Sequence, residues 1–336
     1  MKILELFSGY GTASFALKRL GLDYELVGYS DIDKYANQCF KQNHCLDDIE
    51  DKLRLGDVRN INPNELEDID LITGGFPCQA FSNAGKMQGE LDPRGTLFYE
   101  IIRIAEVKKP KYMLLENVKG LTSKKFKDTF DKILSELDRI GYKVYWKVLN
   151  SKDFGIPQSR ARVWFVCFRK DVEHSFEFPK EVELKIFLKD ILEDEVDEKY
   201  YLSEKNIKHL QRAFGAKGKI LNLENKKVPT LQTAMGTGGG NIPCLIIPTL
   251  TTELAHSTGR DFYRKHAEII GLSAGVLRKL TPKECFRLMG FLNDEINLDG
   301  LSDTQKYKLA GNGQDVNMVS LIFKEMFNKL ESVKGK

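Results

Sequence analysis

The chain has 336 residues, 42% of them hydrophobic, which allows one large domain plus a smaller one and excludes global disorder. A net charge of +3 neither demands nor excludes nucleic acid, since a basic face can sit within a near-neutral total. No apolar run is long enough to span a membrane, no signal peptide precedes the first, and the six cysteines lack a CxxC pair or zinc-site spacing; a cytoplasmic protein with free thiols and no metal is expected.

In chain order, "MKILELF" opens as a strand and "SGYG" follows as a turn. "TASFALKRL" reads as a helix closed by Gly21. "YELVGYS" is the next strand, ending at Asp31, and "DKYANQCFKQN" is helical. "GDVRNI" places Asp57 at the end of another expected strand. "IDLITGG" and "YMLLENV" are short apolar strands with the helix "LFYEIIRIAEVKK" between them, and "VYWKVLN" and "RVWFVCF" continue the rhythm. Alternating strands and helices predict an α/β fold: a doubly wound, mostly parallel, Rossmann-like sheet. Ligands of such sheets bind beyond the carboxyl ends of the strands, where Phe7, Asp31, Cys78 and Glu116 fall.

The pattern changes after about residue 170. "EDEVDEKY" is an acidic run expected at the surface, and the glycine-rich "TAMGTGGGNIP" cannot form a packed helix. A second, smaller, mixed domain is expected over residues 179–280. "MVSLIFKEMFNKL" has helical spacing and enough apolar mass to dock on the first domain. Cys39, Cys167 and Cys285 sit within apolar runs and read as core residues.

Two stretches carry chemistry. In "ELFSGYG", Gly9 and Gly11 stand where a strand turns into a helix, so backbone can approach a ligand. Asp31 follows where a ribose diol is held in dinucleotide-binding folds, and Asp57 is placed to accept from an adenine amino group. With no GxxxxGK[ST] loop, the pattern favours a ribose-bearing adenine ligand without pyrophosphate. In "GGFPCQAFS", Cys78 is the one cysteine set among glycines, a proline and polar residues, as a reactive thiol needs.

Taken together the motifs resemble the DNA (cytosine-5)-methyltransferase family through most of the chain. "ELFSGYG" is similar to its cofactor loop, "GGFPCQAFS" to its nucleophile loop, "ENV" at 116–118 to its base-contacting motif and "QSRARVWFV" at 158–166 to its arginine-bearing strand. "RKLTPKECFRLMGF" at 278–291 resembles the segment closing its recognition domain, and "GNGQDVNMV" at 311–319 its carboxyl-terminal motif. The resemblance implies S-adenosylmethionine as cofactor, S-adenosylhomocysteine as product and no metal. It places Phe7, Gly9, Tyr10 and Gly11 in the cofactor loop, Asp31 on the ribose, Ile32 against the adenine, Asp57 and Val58 at the adenine edge, Pro77 and Leu97 along the pocket, and Asn312 near the methionine end. Asp31 stands where the family more often has glutamate, Thr12 where glycine is common, and Gly313 where serine usually follows Gly-Asn.

Carbon 5 of cytosine is a poor nucleophile until a soft nucleophile adds at carbon 6, and a thiolate suits that addition. Cys78 is the expected nucleophile and Glu116 the expected acid at ring nitrogen 3. Arg160 and Arg162, separated by one residue, would point to one side of a strand. By resemblance Arg162 reaches the oxygen at carbon 2, Arg160 supports Cys78 and the substrate backbone, and water takes the carbon 5 proton. Because carbon 6 is unreachable in a stacked duplex, the base must leave the helix. "NAGKMQGELDPRGT" then reads as a lid, with Lys86 and Arg94 meeting phosphates and Ser82 and Thr96 at its base.

The resemblance makes residues 1–178 and 310–336 the catalytic domain, 179–280 the target-recognition domain and 281–309 a hinge. "PTLQTAMGTGGGN" at 229–241 looks like the central recognition stretch, giving Thr230 and Gln232 to the DNA, and Arg264 lies in a basic group with Arg260, Lys265 and His266. The expected partner is double-stranded DNA, bound by a monomer, with a restriction endonuclease encoded nearby as an optional companion. Two alternatives are a tRNA cytosine-5 methyltransferase, whose typical Cys-Phe-Thr tripeptide is absent, and a noncatalytic DNA-binding module, against which Cys78, Glu116 and Arg162 all argue.

Overall fold

The structure, a computed structural model, describes residues 1–45, 47–48, 51–77, 97–203, 220–221, 228–231, 244–247, 276–293 and 295–327. The chain divides into two compact units. The first comprises Met1–Asn150, Ala161–Glu181 and Gly313–Lys336, and the second Ser151–Arg160 and Val182–Asn312.

The first unit is built on a six-stranded sheet. Its strands are β1 (Lys2–Leu6), β2 (Glu25–Ser30), β3 (Leu71–Gly75), β4 (Tyr112–Val118), β5 (Tyr142–Asn150) and β7 (Ala161–Arg169), in the order β2-β1-β3-β4-β7-β5. The first four run parallel, as the alternation with helices predicts. The β7 strand is antiparallel to both β4 and β5, so the rhythm read through "VYWKVLN" and "RVWFVCF" breaks here. The reason is length: residues 151–160 are too short a connection for a parallel crossover and return the chain antiparallel. Leu4, Leu71, Ile72, Met113, Leu115, Val163 and Phe165 fill the sheet interior. Strands buried on both faces read as apolar runs rather than alternations.

Helix α1 (Thr12–Arg19) starts from a left-handed Gly11 and ends as expected before Gly21, whose φ of 66° lets its amide reach the Lys18 carbonyl. Helix α2 (Lys34–His44) is capped by Asp33, whose carboxylate accepts from the Tyr35 amide at 2.9 Å. Its Phe40 stacks on Tyr29 of β2 at 4.0 Å. Helix α3 (Leu97–Lys108) buries Phe98, Ile101, Ile102 and Ala105, and α4 (Lys127–Arg139) buries Phe130, Ile133 and Leu137, each a helical stripe. The predicted carboxyl-terminal helix is present within the described residues as Val316–Phe327, and it packs against α1. The expected strand before Asp57 is a single bridge, Tyr29 to Arg54; Asp57 itself caps a short 3-10 helix, Val58–Asn60.

Glu5 is the exception in the apolar β1. It is 2% exposed, and its carboxylate accepts from the Ser14 amide at 3.0 Å, the Ser14 hydroxyl at 2.5 Å and the Ala13 amide at 3.3 Å. These amides open α1, where a carboxylate is favoured. Burial nevertheless dominates and pushes the carboxyl up to about 7, against those hydrogen bonds. The unfolded chain titrates near the ordinary 4.5, so the folded state binds the extra proton between these values. The stability Glu5 contributes is therefore full below the unfolded pKa and lost as pH rises through the folded one, about 3 kcal/mol in all. Denaturant titrations at about pH 5 and about pH 8 should show this fall in the wild type and a flatter response in Glu5→Gln; an equal slope in both would refute it.

The second unit carries β6 (Gln158–Ser159) paired in parallel with β9 (Val228–Pro229). A three-stranded sheet joins β11 (Val276–Lys279), β10 (Cys244–Ile247) and β8 (Ile220–Leu221) in that order. Helix α5 (Pro282–Arg287) begins in a capping box between Thr281 and Glu284, with Pro282 in its first turn. Arg278 meets the same Glu284 at 2.6 and 2.8 Å, both side chains being at most 1% exposed. In "RKLTPKECFRLMGF" the arginine and glutamate are thus a buried structural pair. The acidic run is likewise partly structural: Thr281 donates to Glu193, and Asp197 caps the turn Glu198–Tyr200. Helix α6 (Asp303–Asn312) completes the unit.

Candidate active site

At the carboxyl ends of the parallel strands the first unit gathers a loop, two acids and an ion pair. The loop after β1 is unusual backbone: Phe7, Gly9 and Gly11 have φ of 51°, 56° and 83°. Gly11 needs to be glycine for a second reason, since a Cβ there would overlap the His44 ring. The loop is tied down by Ser8 N–H to the Ser30 carbonyl at 3.0 Å and Gly11 N–H to the Ser8 carbonyl at 2.8 Å. Asp31 adds a further tie, accepting from Gly9 N–H at 3.0 Å with one oxygen and from Asp33 N–H at 2.8 Å with the other. Burial pushes the Asp31 carboxyl up, opposed by these amides. Ile32 beside it is 80% exposed, an apolar side chain left open.

Asp57 is engaged by Arg59, at 2.5 Å from its Nη2, and this pairing holds the Asp57 carboxyl low. Val58 is buried in the main cluster, against which Phe7 and Leu97 also pack, so these three predicted pocket residues share one apolar group. Tyr10 differs from the others: its ring is fully buried, and its hydroxyl donates to the Gln314 carbonyl. His44 approaches the Tyr10 carbonyl at 3.1 Å through its Nε2, and burial pushes its imidazole down to about 4, so it is neutral at neutral pH.

Glu116 lies within β4, in register with Gly75 of β3 and Trp164 of β7. Arg162 Nε stands 2.8 Å from its Oε1, with side-chain exposures of 16% and 11%. Asn117 donates from its amide to the Phe76 carbonyl at 2.9 Å, which fixes the residue two before Cys78. Phe76 is buried against Phe98, and Pro77 is exposed. Cys78 and the lid residues Ser82, Lys86, Arg94 and Thr96 lie outside the described residues, as do Gln232 and Arg264.

Arg162 lies within β7, whereas Arg160 lies outside it. Arg160 precedes β7, falls in the second unit, and donates to the Gly311 carbonyl at 3.3 Å. Asn312 and Thr230 also belong to the second unit; Asn312 is exposed at the end of α6. The Thr230 hydroxyl donates to the Ser159 carbonyl at 2.5 Å, so its single proton is spent within the protein. Sequence reasoning missed Ser8, Asn117, His44 and Gln314. Ser8, Asn117 and Gln314 stand inside quoted motifs, and His44 is signalled only by through-space contact.

A mostly parallel α/β sheet with a glycine-bearing loop after its first strand defines a Rossmann-like fold. The chain belongs to the C-5 cytosine-specific DNA methylase family, which it matches over residues 1–328. It is 35% identical to the type II methyltransferase M.NlaX of Neisseria lactamica, over 99% of this chain and 98% of that one. It is 30% identical to the orphan methyltransferase M.SPRI of Bacillus phage SPR, over 98% of each. Among solved structures, a mutant DNMT2 of Spodoptera frugiperda superposes with a TM-score of 0.73 at 27% identity, over 97% of this chain and 99% of that one. Among the described residues no helix is long and apolar enough to cross a membrane.

Proposed function

We propose that the protein transfers a methyl group from S-adenosylmethionine to carbon 5 of a cytosine flipped out of a specific double-stranded DNA sequence. The observation that carries this reading is the Glu116–Arg162 pair, set beside the strand end that leads into Phe76-Pro77-Cys78.

The residues present fit the cofactor. Ser8 Oγ is buried with no partner among the described residues, a Cβ on Gly9 would meet nothing within 4 Å, and Ile32 is open to cover a flat ring. The Asp31 oxygens each keep a lone pair for a ribose hydroxyl after accepting one amide. When bound, S-adenosylmethionine supplies an electrophilic methyl group on a cationic sulfur.

Cys78 thiolate forms a bond to carbon 6 of the base, and the ring electrons move to carbon 5, which takes the methyl group. Glu116 hydrogen-bonds or protonates ring nitrogen 3 as that charge develops. Arg162 holds Glu116 and offers its remaining guanidinium hydrogens to the oxygen at carbon 2. Water removes the carbon 5 proton, and the carbon–sulfur bond breaks to regenerate Cys78. Residues 179–280 choose the target, with 281–309 as hinge; Arg264, Gln232 and the lid residues are the DNA contacts. Thr230 meets a base edge as an acceptor, since its hydroxyl proton is donated to the Ser159 carbonyl. A monomer and no obligatory endonuclease complex complete the reading.

Methylome sequencing after expression in a methylation-free bacterium tests activity and reads the target together. No new methylcytosine in DNA, with methylated tRNA instead, would transfer the reading to RNA.

Asp57→Ala should weaken S-adenosylmethionine binding by about 1–3 kcal/mol, the cost of stranding a buried donor. Asp31→Ala should cost more, because it also releases the Gly9 amide. Calorimetry that finds Asp57→Ala unchanged would assign Asp57 to Arg59 and the turn it caps.

A further inference from the structure

We propose that Gln314 is a positioning residue for Glu116, an assignment that rests on Glu116 acting at the target base. Gly75 ends β3 and pairs with Glu116 of β4. A Cβ built on Gly75 would stand 3.0 Å from Gln314 Nε2 and 3.2 Å from Glu116 Oε2. The amide and the carboxylate therefore converge on one side of the strand end, three residues before Cys78. Glycine at 75 leaves room for both.

Gln314 is brought there by contacts of its own. The Tyr10 hydroxyl donates to its carbonyl, and Tyr10 is fully buried. A Cβ on Gly313 would overlap the Tyr10 ring, so glycine at 313 and tyrosine at 10 are complementary. His44 holds the other end of Tyr10 through its carbonyl. The cofactor loop thus fixes the backbone from which the Gln314 amide extends.

Arg162 engages Glu116 on Oε1, and Gln314 stands on the side of Oε2. An N–H there, acting directly or across a water, restricts the carboxyl to one orientation. Arg162 of β7 is ion-paired with Glu116, and the β3 residue in register with it, Gly75, carries no charge. Asp315, next to Gln314, directs its carboxylate to the amides of Asn317 and Met318.

Two variants test this, and both spare the Tyr10 contact, which is to backbone. Gln314→Met keeps the length and removes the amide. It should slow single-turnover methyl transfer about tenfold or more, with affinities for S-adenosylhomocysteine and DNA within about twofold of wild type. Gln314→Glu puts a second carboxylate beside Glu116, which disfavours ionisation of both. The Glu116 titration should move upward, read by carbon-13 NMR of labelled glutamate side chains and assigned with Glu116→Gln, and the pH profile of the rate should move with it. An unmoved Glu116 titration overturns the proposal, as does a wild-type rate in Gln314→Met. Lost S-adenosylhomocysteine affinity with an unchanged saturated rate also overturns it, giving Gln314 to the cofactor. A wild type that methylates no DNA refutes the functional reading instead, and the NMR measurement still decides whether Gln314 acts on Glu116.

Discussion

Cys78→Ser should abolish methyl transfer, by about a thousandfold or more, while cofactor binding stays near normal. Addition to carbon 6 needs an ionised, polarisable nucleophile, and a serine hydroxyl is neither at neutral pH. The described cysteines supply the contrast. Cys39, Cys167 and Cys285 are fully buried, and burial pushes all three thiols up, Cys39 to about 12. Such thiols stay protonated and inert, so their alanine variants should keep the chemistry and lose only stability. Trapping on DNA carrying 5-fluorocytosine gives a second readout, because the fluorine blocks the last step and leaves the adduct in place. Robust turnover by the serine variant, or an adduct that forms without Cys78, would sink the nucleophile assignment.

The residues that made the site legible in the sequence are those whose reason is local. Gly9 and Gly11 announce a backbone that other residues resist, and both have positive φ. Asp31 and Glu116 are charges placed at or near the ends of apolar strands. The helices came from apolar stripes that survive burial, such as Phe98, Ile101, Ile102 and Ala105. What could not be read depends on partners distant in sequence. Strand β7 looks the same whichever way it runs, and only the short connection before it decides. Arg160 and Arg162 share a motif, but one meets Gly311 and the other Glu116. Thr230 looks like a free hydroxyl until Ser159 is found beneath it. Glu5 stands in the quoted cofactor motif, and its partners Ala13 and Ser14 open the next helix, so its burial shows only once strand and helix are joined.

Glu116→Gln should lower the methyl-transfer rate about a hundredfold or more, because the amide keeps the shape and cannot give a proton to ring nitrogen 3. The neighbouring arginine makes the choice of substitution matter. Glu116 and Arg162 are both mostly buried and pair at 2.8 Å, so removing the carboxylate strands a cation. Glu116→Gln still offers Arg162 an amide oxygen and should fold nearly as well as wild type. Glu116→Ala leaves no acceptor and should cost about 2–3 kcal/mol in stability as well as the rate, short of the full penalty for a deeply buried charge because both groups keep some solvent. Arg162→Ala tests the pair from the other side: it should lose rate through a misplaced Glu116 and a lost contact to the base. Combined with Glu116→Gln it should do little further harm, since groups acting as a unit are not additive. Single-turnover rates and denaturant melts on the three single variants and the double one measure this together. Fully additive rate losses would mean that Glu116 and Arg162 serve the base independently. A Glu116→Gln variant with near-normal rate would leave protonation of the ring to water and reduce Glu116 to a structural partner of Arg162.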